Sequence, residues 1–211
     1  MTNLRLTLAA ATVLLAACTS TPKKQDAADA RHFGDASVTT GGKGQDPASD
    51  LFIRLDLAQR AWSNLQVTAK DSTEIHRANK IEEDIRFRAT RHQAELITAL
   101  ETGPPPQRQI AAFALGFSEV RDLPSDARDG KPVHRVDPVG PLTAALQDPV
   151  PGVVANAAYG LGLQAKATAP TSQLVQLLGT SPSADVRNNA SWALLRMVAA
   201  GARPEGLAEV A

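Results

Sequence analysis

The chain has 211 residues, enough for one domain with a sizeable core. Lysine plus arginine balances aspartate plus glutamate at 22 each, so the basic footprint of a nucleic-acid binder is missing. Aromatics make up 4%, as suits helices packed through alanine and leucine, and the single cysteine excludes an intrachain disulfide.

Arg5 is the only charged side chain ahead of an apolar run from Leu6 to Ala17. Those twelve residues are too few to span a bilayer core of about 30 Å, so they read as a targeting signal. The run ends in Leu15-Ala16-Ala17-Cys18, which resembles the bacterial lipoprotein signal. That resemblance implies removal of residues 1–17 and attachment of a diacylglycerol through the Cys18 thiol. The alternative is an ordinary secretory signal with an incidental cysteine. Several acyl chains, at about 0.8 kcal/mol per buried CH₂, would make a durable anchor. Thr19, where an aspartate would commonly retain a lipoprotein in the inner membrane, favours the outer membrane facing the periplasm.

Residues 18–45 read as the lipidated cysteine and a tether. Phe33 is their only large apolar side chain, too little burial to offset ordering. Random-coil scaling gives the tether a span on the order of 30 Å. Asp46-Pro47 opens the first helix, whose stripe is Leu51, Leu55, Ala58, Trp62 and Leu65. Asp71 with Glu74 has capping-box spacing. One long helix is expected next, its stripe running Ile75, Ala78, Ile81, Ile85, Ala89, His92, Leu96 and Leu100. Its charged faces offer i,i+4 pairs, Glu82 with Arg86 and Asp84 with Arg88. Residues 46–102 are therefore expected to lead into a helical array and to cap its N-terminal end.

Residues 90–203 carry three copies of a helix-turn-helix unit. The second helices align without gaps over Ile110–Gly116, Asn156–Gly162 and Asn189–Leu195. Each has an aromatic (Phe113, Tyr159, Trp192), then a leucine two residues on (Leu115, Leu161, Leu194). The copies are offset by 46 and 33 residues, a range typical of stacked helical arrays. One helix pair cannot cover its own apolar face, so each needs a neighbour. Ala111, Ala112, Ala157, Ala158 and Ala190 allow close approach, and the aromatics supply buried area. Asp137-Pro138, Asp148-Pro149 and Ser181-Pro182 are expected to place an N-cap ahead of a first-turn proline. Gly103, Gly179 and Gly201 are expected to end helices.

Val186-Arg187-Asn188-Asn189-Ala190 and the ending Ala111 to Gly116 resemble the HEAT-like repeats named after phycobilisome lyases. The chain departs from that pattern at Asp185, directly before the valine, and at Val154, where arginine is usual. The resemblance implies an all-α fold, an α-solenoid of stacked helix-turn-helix repeats with an N-terminal helical cap.

Residues 117–136 break the period and account for the longer offset. A compact array would use a short turn here. Arg121, Asp122, Arg128, Lys131, His134 and Arg135 make this segment the candidate interaction loop, since repeat insertions tend to fall on the binding face. The alternative is a neutral surface loop. The chain closes with Pro204 and a short amphipathic turn bearing Leu207 and Val210.

There is no HExxH, CxxC, GxSxG or phosphate-loop motif. His32 falls in the tether, and His92 falls on the apolar stripe and reads as core. His92 with Glu95 is a lone His-x-x-Glu, whereas a di-metal site needs ligands from several helices. No cofactor, metal or catalytic residue is expected. The expected function is a lipid-anchored scaffold in the bacterial cell envelope that binds another envelope protein. A lyase-like enzyme and a small-ligand carrier are the alternatives.

Overall fold

The computed structural model describes residues 47–120 and 136–206. Among them are eight α-helices and no strand: α1 (Pro47–Thr68), α2 (Ser72–Arg91), α3 (Gln93–Thr102), α4 (Pro105–Phe117), α5 (Val139–Ala145), α6 (Pro151–Gln164), α7 (Ser172–Thr180) and α8 (Ala184–Ala199). The fold is all-α, as expected. Cys18, Asp46, the tether, the loop residues Arg121 to Arg135, Leu207 and Val210 lie outside the described residues.

The α1 stripe faces inward: Leu51, Leu55, Trp62 and Leu65 are buried and Ala58 partly so, joined by Phe52. Asp71 caps α2 through the Glu74 N–H at 2.8 Å. The Glu74 carboxylate answers on the Lys70 N–H at 2.8 Å, one residue before the cap itself. Arg86 meets Glu82 and Arg88 meets Asp84, each at 2.7 Å, on the solvated side.

The expected single long helix is two helices. The chain breaks at His92 (φ −105°, ψ 27°), whose N–H still donates to the Arg88 carbonyl while its own carbonyl accepts from Leu96. The break lets α3 pair with α4. Two further expectations fall with it. The His92 side chain is 39% exposed, 3.1 Å from Glu95 at its Nδ1, so it is not core. Ile75, the first residue of the expected stripe, is exposed.

The remaining helices pair as α3–α4, α5–α6 and α7–α8, and the second helix of each pair packs on that of the next, α4 on α6 and α6 on α8. Both α1 and α2 pack on α4 as well. The spacing is set by missing side chains. A Cβ on Gly116 would lie 2.5 Å from Gly160 Cα, and one on Gly162 would lie 2.4 Å from the Trp192 ring and 2.9 Å from Ala193 Cα. Gly160 and Gly162 thus open the two sides of α6, one toward α4 and the other toward α8.

The proline turns are offset from the expected caps. Asp137, Asp148 and Ser181 each accept through a side-chain oxygen from the N–H two residues on: Val139 (3.0 Å), Val150 (2.8 Å) and Ser183 (3.3 Å). These are Asx and ST turns ahead of the helix. The proline follows the acceptor directly and has no N–H to compete. The cap of α8 is Ser183, which accepts from Val186. Gly103 ends α3 and Gly201 (φ 101°) follows α8, but Gly179 lies inside α7, which runs on to Thr180.

Candidate functional site

The six matched residues lie on α4, α6 and α8, and Trp192 stands outside the buried core. Leu115, Leu161 and Leu194 are buried. The aromatics form a ladder across the layers: Phe113 and Tyr159 stack at 6.1 Å, and Tyr159 and Trp192 at 4.7 Å. Trp62 of α1 closes the near end, 5.9 Å from Phe113 and 6.3 Å from Tyr159. Burial is graded along the ladder. Phe113 is fully buried, whereas Tyr159 and Trp192 are only partly so. Burial also pushes the Tyr159 phenol above its ordinary pKa, with Glu82 adding to the rise and Arg196 opposing it.

Polar bonds recur between layers at matching positions. Asn156 Nδ2 donates to the Gln109 carbonyl (2.8 Å), and Asn189 Nδ2, one repeat later, donates to the Ala155 carbonyl (2.9 Å). Helix ends are closed by the following layer. Gln164 Nε2 donates to the carbonyls of Leu115, Gly116 and Ser118 at the end of α4, and Arg196 Nε reaches the Gly162 carbonyl of α6 at 3.4 Å. These carbonyls are the orphans that every helix C-terminus leaves.

Arg108 carries no mark in the sequence that sets it apart. It grips Asp148 with Nε (2.7 Å) and Nη2 (3.1 Å), while Nη1 holds the Gly103 carbonyl (2.9 Å). Partial burial draws the Asp148 carboxyl upward, but the Arg108 hydrogen bond, the Val150 N–H and the Arg108 charge outweigh it and hold the pKa below the usual value. Aligning the copies one turn further back would have matched Arg108 to Arg187.

The candidate loop residues Arg121, Asp122, Arg128, Lys131, His134 and Arg135 lie outside the described residues, and so does Cys18. What the structure does describe is the frame at the two ends of that segment. Gln93, buried at the start of α3, donates through Nε2 to Ser118 Oγ (3.2 Å) before the segment and accepts through Oε1 from the Val136 N–H (2.8 Å) after it. The buried Thr90 hydroxyl accepts from the Glu119 N–H at 3.1 Å. Lys166 holds Asp137 at 2.7 Å. Burial draws the Asp137 carboxyl up, but Lys166 and the Val139 N–H outweigh it and leave the pKa lowered. Beside this frame lies a shallow groove of about 330 Å³, lined by Arg86, Phe117, Ser118, Val120, Gln164 and Lys166. Phe87, Val120 and Val136 are exposed apolar side chains on the three described segments of the frame.

Among the described residues no three of His, Cys, Asp or Glu are grouped to hold a metal ion, and no helix is long and apolar enough to cross a membrane. A scan against protein-family models finds no match for the chain, and a search of the curated proteins finds none.

Proposed function

We propose that this chain is a protein-interaction scaffold. In this reading α3–α4, α5–α6 and α7–α8 are HEAT-like repeats stacked as an α-solenoid, and α1 and α2 form its N-terminal cap. The repeated interlayer bonds of Asn156 and Asn189, with the aromatic ladder beside them, support the stacking. The observation that carries the interaction role is the double use of Gln93. One buried amide bonds Ser118 on one side of the inserted stretch and Val136 on the other. Repeat folds commonly carry binding residues on insertions that start and end on the scaffold.

The partner is another protein of the bacterial cell envelope. Cys18 carries the lipid that holds the scaffold at the membrane, on the periplasmic face of the outer membrane. No cofactor, metal or nucleic acid enters this function.

Replacing Asp122 to Arg135 with a short Gly-Ser turn tests it. Loop closure costs only about 0.6 kcal/mol per doubling of length, so the melting temperature should hold. Partner capture in a membrane crosslinking assay should disappear. Retained capture with intact folding would move the interface to the helical faces. Cys18→Ser should abolish labelling by a radioactive fatty acid, and equal label in both proteins would end the lipoprotein reading.

A further inference from the structure

The apolar pattern does not call for the break between α2 and α3. Ile85, Ala89, Leu96 and Leu100 are buried at helical spacing, so one continuous face runs through His92. The usual causes of a sharp kink, a proline or a glycine, are absent from Ser72 to Thr102. The break leaves the N–H groups of Gln93, Ala94 and Glu95 with no acceptor within the helix. What stands there instead is a set of bonds from two buried side chains. Thr90 holds Glu119, and Gln93 holds Ser118 and Val136.

The bend has a steric consequence. α3 runs antiparallel to α4, with Gln93 at its start bonded to Ser118 at the end of α4. A straight continuation of α3 would carry α2 past that end and away from α4. The bend folds α2, and α1 with it, back over α4. There Trp62 meets Phe113 at 5.9 Å and Phe117 at 5.5 Å. This closed arrangement leaves the Trp62 Nε1 buried without a hydrogen-bond partner among the described residues. Buried polar groups are nearly always bonded, so the exception marks a cost of closure.

We propose that α1 and α2 form a hinged flap, latched over α4 by the bonds of Thr90 and Gln93 to Ser118, Glu119 and Val136. Release of the latch lets α2 and α3 join through His92 into one helix. The three idle N–H groups then gain acceptors, Trp62 Nε1 returns to water, and the Phe113 and Phe117 side of α4 is uncovered. Burial of the α1 stripe and the latch bonds oppose this, so removing the latch shifts the balance toward the open form. Ser118, Glu119 and Val136 flank residues 121–135. Whatever displaces them therefore opens the flap, and opening frees them in turn.

This inference depends on neither the proposed partner nor the lipid anchor. Thr90→Val combined with Gln93→Met removes the latch bonds at similar side-chain volume. On a Trp192→Phe background, Trp62 is the one tryptophan of the full chain, which is purified in mild detergent. Its acrylamide quenching should rise about threefold or more, with helical circular dichroism retained. Amide hydrogen exchange at Gln93, Ala94 and Glu95 should slow about fivefold or more, because the joined helix protects them. Unchanged quenching overturns the proposal. So does exchange at those three amides that stays as in the wild type or quickens, since the break would then merely fray. Ser118→Ala, which alters neither α2 nor α3, should move both readings the same way by less, and the same two outcomes decide there if the double variant does not fold.

Discussion

The helix pairs α3–α4 and α7–α8 carry an arginine at matching positions, Arg108 and Arg187, and spend it differently. In the first layer Arg108 reaches forward to Asp148, and the carbonyls at the end of α4 are closed by Gln164 of the next layer. In the last layer Arg187 turns back onto the carbonyls of Ser181 and Pro182, within its own helix pair. The end of α8 is closed by its own backbone. Ala202 N–H donates to Met197 and Gly201 N–H to Val198, around the positive φ of Gly201. Such a closure satisfies the orphan carbonyls without a neighbour. Stacking is thus specified less by the apolar pattern, which all three copies share, than by whether polar groups and glycines point outward to a next layer.

The largest test of this contrast lies in the ladder. Phe113→Ala removes a buried ring with neighbours on both sides and should cost about 3–5 kcal/mol by chemical denaturation. Trp192→Ala removes a larger ring that has an aromatic neighbour on one side only and is partly exposed. Its cost should be smaller, about 2 kcal/mol. Equal losses at both positions would mean that the last layer is packed like the first.

Next comes the matched pair Gly162 and Leu195. Gly162→Ala gains helix propensity of up to about 1 kcal/mol but drives a methyl into the Trp192 ring and the Ala193 backbone. Such overpacking should leave a net loss of about 1–3 kcal/mol. Leu195→Ala, at the matching but exposed position, should change stability by about 0.5 kcal/mol or less. A tolerated Gly162→Ala would show that α6 and α8 can slide apart freely.

These positions also show what was legible in the sequence. The aromatic-x-leucine register could be read because seven-residue segments match without a gap. The break at His92 could not, because neither proline nor glycine marks it. Its structural counterpart is the buried bonding of Thr90 and Gln93 to chain some 25 to 43 residues away. Arg108 was hidden for the same reason. Its partner Asp148 is 40 residues distant, and the prolines before it read simply as a turn. The two interlayer asparagines look like weak helix formers until their acceptors are seen in the neighbouring helix.

The Arg108–Asp148 pair gives the contrast a pH signature. The folded Asp148 pKa is lowered from an ordinary value of about 3.9. Its stabilisation is therefore complete above that ordinary value and is lost as pH falls through the lower folded pKa. Asp148→Asn should lower stability at neutral pH and flatten the acid limb below about pH 4, read as melting temperature against pH. Ser181 occupies the matching position in the last layer and carries no charge, so Ser181→Ala should leave the shape of that limb unaltered. An Asp148→Asn limb as steep as the wild type would place the acid sensitivity elsewhere, with Asp137 the next candidate because its pKa is lowered too.

The smallest effect separates two adjacent asparagines. Asn189 donates to the Ala155 carbonyl across the α6–α8 interface, a bond that is partly buried. Removing the donor leaves that carbonyl with its intrahelical bond alone, and a net hydrogen bond of this kind contributes about 0.5–1.5 kcal/mol. Alanine recovers some helix propensity, several tenths of a kcal/mol. Asn189→Ala should therefore cost slightly under 1 kcal/mol. Asn188 is exposed on α8 and corresponds to Ala155 of α6. Its replacement by alanine loses no bond within the protomer and gains the same propensity, so it should stabilise α8 by a few tenths of a kcal/mol. Opposite signs at neighbouring positions, measured by denaturant midpoint at unchanged slope, would show that the ladder ends at α8 within one chain. The same sign at both would mean that Asn188 has a partner of its own. Diluting the sample would then tell whether that partner lies in another molecule, because only an intermolecular bond weakens on dilution.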